Sequence, residues 1–196
     1  MIGVEQLTQL PGHDRESEST GSLRARFARL AETHGTADAL LDTKGHRLDH
    51  TGLYQELTKR AERLQQLGLG RGDVVLVALP DGPEVLTTLL AVAMVATALP
   101  ISPDDPAEEI AGLLATVPVA AVIFPTARAA LIDGITWPGS VLRIPVAFPP
   151  DALLADWQIS DAPDPEGRLA EPTLPDDAAV LVRTSGSTGT PKLVAW

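Results

Sequence analysis

The sequence predicts an α/β fold, a parallel, helix-covered sheet of the Rossmann or flavodoxin-like kind. Two observations carry this. Short apolar runs, such as residues 73–79, 119–124 and 141–144, alternate with segments of helical period. Within those runs nearly every position is apolar, as in strands buried on both faces, and such strands belong to parallel sheets with helices above and below. A third observation concerns the last run, residues 178–182, which leads directly into a loop of glycines and hydroxyls. Ligands of such sheets sit in the crevice beyond the carboxyl ends of the strands, so that loop marks the expected site.

Residues 1–20 are polar and predicted to be disordered. Residues 22–34 carry Leu23, Phe27 and Leu30 between basic residues, the pattern of a short amphipathic helix. Residues 37–41 and 46–50 flank Asp42-Thr43-Lys44-Gly45, which predicts a hairpin. Thr51 is placed to cap a helix whose Leu53, Leu57, Ala61, Leu64 and Leu67 share one face, with Gly68 and Gly70 ending it. After the strand at 73–79, Asp81 and Glu84 have capping-box spacing and Pro83 suits a first turn, opening a helix that runs to residue 98. A strand at 99–102, a helix at 106–116, a strand at 119–124, a short helix at 127–132 and a strand at 141–144 follow. Seven prolines and many acidic residues then break any period between Pro145 and Asp177. The expected organisation is thus an α/β amino-terminal subdomain over 21–145, an irregular connection over 146–177, and a strand plus loop over 178–196.

Composition narrows the function. At 196 residues the chain suits one ordinary domain, and with 44% hydrophobic but 4% aromatic residues its core must be mostly Ala, Leu and Val. A formal net charge of −11 argues against a nucleic-acid partner, which needs a basic surface. The lack of cysteine excludes thiol nucleophiles, disulfides and thiolate metal sites. The first 20 residues lack the apolar core of a signal peptide, so a cytoplasmic location is expected. Residues 85–101 are 17 in a row without a charge. That is short of the roughly 20 a membrane span needs, and the run reads as a buried helix entering a buried strand. His46 and His50 would share a strand face, but without a third ligand no metal site is read there. No G-x-S-x-G elbow occurs, and no histidine stands with a nucleophile. Asp104, Asp105, Glu108 and Glu109 read as first-turn charges favoured by a helix dipole. Trp137 and Trp157 read as packing anchors.

The chemistry concentrates in Thr184-Ser185-Gly186-Ser187-Thr188-Gly189-Thr190-Pro191-Lys192, with five hydroxyls, two glycines and one lysine in nine residues. Glycines allow close backbone approach, successive N–H groups can form an anion-binding concavity, hydroxyls add donors and the lysine adds a compact charge. Arg183 supplies a second cation. These are the elements of a polyphosphate site. The G-x-x-G-x-x-K spacing differs from the G-x-x-x-x-G-K-[ST] of a Walker A loop. The competing reading is a flexible Ser/Gly connector in a non-catalytic Rossmann-like module, and a third is a different nucleotide-binding enzyme.

The string from Leu181 to Lys192 closely resembles the phosphate-loop signature of the adenylate-forming (AMP-binding) superfamily, roughly [YFH]-T-S-G-[ST]-T-G-x-P-K-G. That group includes acyl-CoA synthetases, adenylation domains of nonribosomal peptide synthetases and firefly-type luciferases. Upstream, Gly72-Asp73-Val74-Val75-Leu76-Val77-Ala78-Leu79-Pro80-Asp81-Gly82-Pro83-Glu84 resembles its G-D-x-V-[AL]-[IV]-x-[LM]-x-N-x-x-E segment. Thr51-Gly52-Leu53-Tyr54-Gln55-Glu56-Leu57 is similar to its T-Y-x-E-L helix start, with a two-residue insertion. The resemblance runs from about residue 37 to residue 196. Two positions depart from it. Leu193 stands where the family usually has glycine, and Met94-Val95-Ala96-Thr97 where it tends to have Lys-Ala-Gly-Ala. Leucine takes φ > 0 only at a cost, so the backbone beyond the lysine need not follow the family's path.

The resemblance implies the first subdomain of the adenylate-forming fold and an enzyme that activates a carboxylic acid with ATP and Mg²⁺. The product would be an acyl-adenylate, with pyrophosphate released. Transfer to a thiol of coenzyme A or of a carrier protein's phosphopantetheine would follow. On this reading Thr184, Ser185, Ser187, Thr188 and Thr190 donate to the β- and γ-phosphates, Gly186 and Gly189 permit close approach, and Lys192 neutralises charge. No catalytic residue or metal ligand is assigned within the chain. Leu193-Val194-Ala195-Trp196 is apolar without a stop signal, so the chain is expected to be the amino-terminal part of a larger enzyme and inactive by itself.

Overall fold

A computed structural model gives the architecture, describing residues 22–137, 139, 141–149, 151–157, 177–183 and 193–196. The readings made for residues 1–20 and 158–176 lie outside the described residues. Helix α1 spans Leu23–His34 and begins where Ser22 Oγ accepts the Ala25 N–H. Strands β1 (Asp38–Leu41) and β2 (Arg47–Asp49) pair antiparallel, as the hairpin pattern predicted. Helix α2 spans His50–Gln66. Its cap is Asp49, not Thr51: the carboxylate accepts the Gly52 N–H at 2.7 Å. His50 therefore belongs to a helix and shares no strand face with His46. The helix ends as expected, with Gly68 at φ 80°, a conformation that glycine adopts without a Cβ clash.

Strands β3 (Val74–Val77), β4 (Thr97–Pro100), β5 (Val119–Pro125) and β6 (Leu142–Ala147) form a parallel sheet in the order β4-β3-β5-β6. A short β7 (Asp156–Trp157) adds antiparallel to β6. The fold class is as predicted. Alternate residues divide between two cores. Val75, Val77, Ala98, Ile123 and Ile144 meet α2 and helix α3 (Pro83–Ala93) on one face. Val74, Leu76, Leu99, Val122 and Phe124 meet helices α4 (Ala107–Leu114) and α5 (Ala129–Asp133) on the other. Leu57, Ala61 and Leu64 of α2 are fully buried, and each such leucine contributes about 1.5–3 kcal/mol relative to exposure. Hairpin β1–β2 and α1 pack their Leu23, Phe27, Leu40 and Leu48 against the same core.

Three expectations need correction. Helix α3 stops at Ala93 rather than residue 98, because Thr97 has already joined the sheet: its N–H donates to Asp73 O at 2.9 Å. The turn between them, Met94-Val95-Ala96, is buried, which accounts for apolar residues at these positions. Second, Asp81 and Glu84 form no capping box. The cap position of α3 is Gly82 at φ 147°, with no side-chain cap bond. Glu84 instead turns into the core, where Arg60 Nη1 and Nη2 donate to its two oxygens at 2.6 and 3.0 Å. Thr88 Oγ1, the Ala155 N–H and Trp157 Nε1 complete its shell at 2.8–3.0 Å. Third, β6 continues through Ala147 and β7 lies at 156–157, so part of the stretch read as irregular completes the sheet edge.

Candidate functional site

Beyond the carboxyl ends of β3 and β4 lies a groove of about 610 Å³. Residues 79–81 leave β3 to form one wall and residues 100–104 leave β4 to form another. Val85 and Leu89 of α3 add an apolar side, while Val182 and Arg183 close the groove from the last β-segment. This is the position expected for a ligand of a parallel sheet.

That last segment is β8 (Leu181–Arg183), which pairs antiparallel with β9 (Leu193–Ala195) in the register Arg183↔Leu193. Leu193 lies in this strand, and an extended backbone suits leucine, so glycine is not needed there. The stem is fastened to the sheet by a parallel bridge between Ala98 and Val180 and by Thr97 Oγ1, which donates to Ala178 O at 2.8 Å. Arg71 also reaches Asp177 at 2.9 Å. The run 178–182 was expected to be a buried strand. Its β8 portion is only partly covered, with Val182 39% exposed, because β8 pairs with β9 in a separate two-stranded sheet.

Thr184, Ser185, Gly186, Ser187, Thr188, Gly189, Thr190 and Lys192 lie outside the described residues. Their two flanks are described. Arg183 and Leu193 are register partners in the stem, and Arg183 lines the groove.

Arg183 was read as a second cation for a polyphosphate. Both ends of its guanidinium are instead engaged by carboxylates: Nη2 lies 3.1 Å from Asp105 Oδ2 and Nη1 3.3 Å from Glu109 Oε2. Asp105 precedes α4 and Glu109 is in its first turn, with Glu108 beside it and Asp104 3.8 Å from Arg128. The sequence showed these acids as helix-dipole charges. It did not show their pairing with Arg183, since 78 residues separate Asp105 from it. Among the described residues no group of three His, Asp or Glu side chains converges as a metal ion would require. Also among them, no helix is long and apolar enough to cross a membrane.

Comparison with known proteins decides the family. A family profile described as "AMP-binding enzyme" matches residues 27–196. The chain belongs to the AMP-binding enzyme family. Among curated relatives, novobiocin biosynthesis protein H of Streptomyces niveus is 36% identical over 148 residues, covering 72% of this chain and 24% of that protein. Phosphinothricin tripeptide synthetase PhsB of Streptomyces viridochromogenes is 35% identical over 171 residues, covering 83% of this chain and 13% of that one. A solved fatty acyl CoA synthetase of Mycobacterium tuberculosis superposes with a TM-score of 0.65 at 22% identity, over 89% of this chain and 34% of that one. The last comparison bears on the fold alone, and it matches the helix-covered sheet described above. The chain thus spans a quarter or less of the length of these two curated relatives.

Proposed function

We propose that the protein activates a carboxylic acid with ATP. A carboxylate oxygen attacks the α-phosphorus, the bond to pyrophosphate breaks, and an acyl-adenylate forms. A thiol then attacks the acyl carbonyl, and AMP leaves with the former carboxylate oxygen. The thiol belongs to coenzyme A or to a carrier protein's phosphopantetheine. The relative named as a tripeptide synthetase favours a carrier-protein acceptor.

One observation carries this reading. The described flanks of the nine residues richest in phosphate-binding chemistry, Arg183 and Leu193, pair in an antiparallel stem, and Arg183 lines the groove beyond the carboxyl ends of a parallel sheet. In our reading, residues 184–190 donate hydrogen bonds to the β- and γ-phosphates, and Lys192 offsets the charge that builds on departing pyrophosphate. Magnesium accompanies ATP in such chemistry, but the described residues offer no converging acidic set. No magnesium ligand is therefore assigned to this chain, and no step is routed through the ion.

Carboxylate-dependent ATP–pyrophosphate exchange tests the proposal in the complete gene product. Lys192→Ala should lower exchange by about tenfold or more, as loss of a charged contact worth about 1.5–3 kcal/mol requires. An unchanged rate would remove Lys192 from the mechanism. Residues 1–196 alone should give no exchange, because they span so small a share of the relatives.

A further inference from the structure

We propose that Arg183 raises the affinity for ATP by offsetting part of the charge of Asp105 and Glu109, without itself touching the phosphates. This rests on the reading of residues 184–192 as the triphosphate loop. Arg183 is the last residue of β8, one peptide step from Thr184. The start of α4 explains what the Arg183 charge does. Asp104 lines the groove, Asp105 follows it, and Glu108 and Glu109 stand in the first turn of α4, an acidic run that is a poor neighbour for a triphosphate. Asp105 and Glu109 lie against the Arg183 side chain itself, at 3.1 and 3.3 Å. Charges this close to the loop stem act on a scale comparable with the Debye length of about 8 Å at physiological salt. The Asp105 side chain is only 13% exposed, so water screens it less than a surface carboxylate. One arginine between two carboxylates offsets one of their two charges and so weakens that field. Those two contacts hold the guanidinium against the acids.

The test is the KM for ATP in the exchange reaction of the complete gene product. Arg183→Gln should raise it about three- to tenfold at low salt, with kcat within about twofold, and the increase should shrink as salt is added. Neutralising the acids in the same background (Arg183→Gln with Asp105→Asn and Glu109→Gln) should return KM to within about twofold of wild type. The Asp105→Asn/Glu109→Gln double variant, with Arg183 intact, should bind ATP at least as well as wild type. An unchanged KM in Arg183→Gln would overturn the proposal. So would a KM that stays raised in the triple variant, which marks a direct contact with phosphate. A kcat loss that the triple variant does not restore points to stem geometry instead and also overturns it. If wild type exchanges pyrophosphate but these variants behave otherwise, the functional reading survives and this inference alone fails. If wild type shows no exchange with any carboxylic acid, both fall together.

Discussion

At the scale of single residues, Asp42 shows how one carboxylate can shape a turn. Its Oδ1 accepts the N–H groups of Lys44 and His46, both at 2.9 Å, and its Oδ2 lies 2.7 Å from His46 Nδ1. Desolvation by itself would raise the pKa of Asp42. The hydrogen bonds from the His46 ring and from the two backbone N–H groups, with the charge of His46, outweigh it and leave the carboxyl below its ordinary value. A carboxyl depressed in the folded state stabilises the fold above its unfolded pKa of about 3.9, and that contribution is lost as pH falls through the lower folded value. Urea denaturation should therefore find Asp42→Asn less stable than wild type at pH 7, with the two converging below about pH 4. Parallel curves across that range would contradict the assignment. The turn was readable from Asp42-Thr43-Lys44-Gly45, but the cap of α2 was misread as Thr51. Asp49 and Thr51 both have capping side chains, and only the path of β2 into the helix decides between them.

Among the elements, α2, α3 and β7 are joined by the Arg60–Glu84 pair. Arg60 Nε also donates to Glu56 Oε1 at 2.8 Å, and its guanidinium lies 4.9 Å from the centroid of the Trp157 ring. Removing one partner of a buried, hydrogen-bonded pair strands the other charge, at a cost of about 3–5 kcal/mol. Glu84→Ala should lose stability of that order in chemical denaturation, and an Arg60→Met/Glu84→Leu double variant should lose much less. A single-variant loss below about 1 kcal/mol would mean that the node is dispensable. This node could not be read from the sequence. Glu84 has the spacing of a capping residue, and Arg60 falls where the three-and-four period puts core, but their 24-residue separation gives no local sign of contact. The short β7 was hidden for a related reason: two residues make no pattern, and their partner strand supplies the order.

For the molecule as a whole, the parallel sheet and its two helical layers were readable because Val74–Val77 and Val119–Pro125 bury both faces, which leaves little choice of fold. The candidate site was half readable. The run at 178–182 pointed to the groove that Val182 and Arg183 line, while the loop that follows lies outside the described residues. The acids that hold Arg183 were not readable, since they come from α4 and meet β8 only through tertiary packing. The central claim is that residues 184–192 hold the triphosphate of ATP. A crystal structure of the complete gene product with a non-hydrolysable ATP analogue tests it most directly. The account predicts the β- and γ-phosphates against the backbone of residues 184–190, with Lys192 in contact and Arg183 still on Asp105 and Glu109. Phosphates bound elsewhere, with residues 184–192 touching no part of the nucleotide, would contradict it.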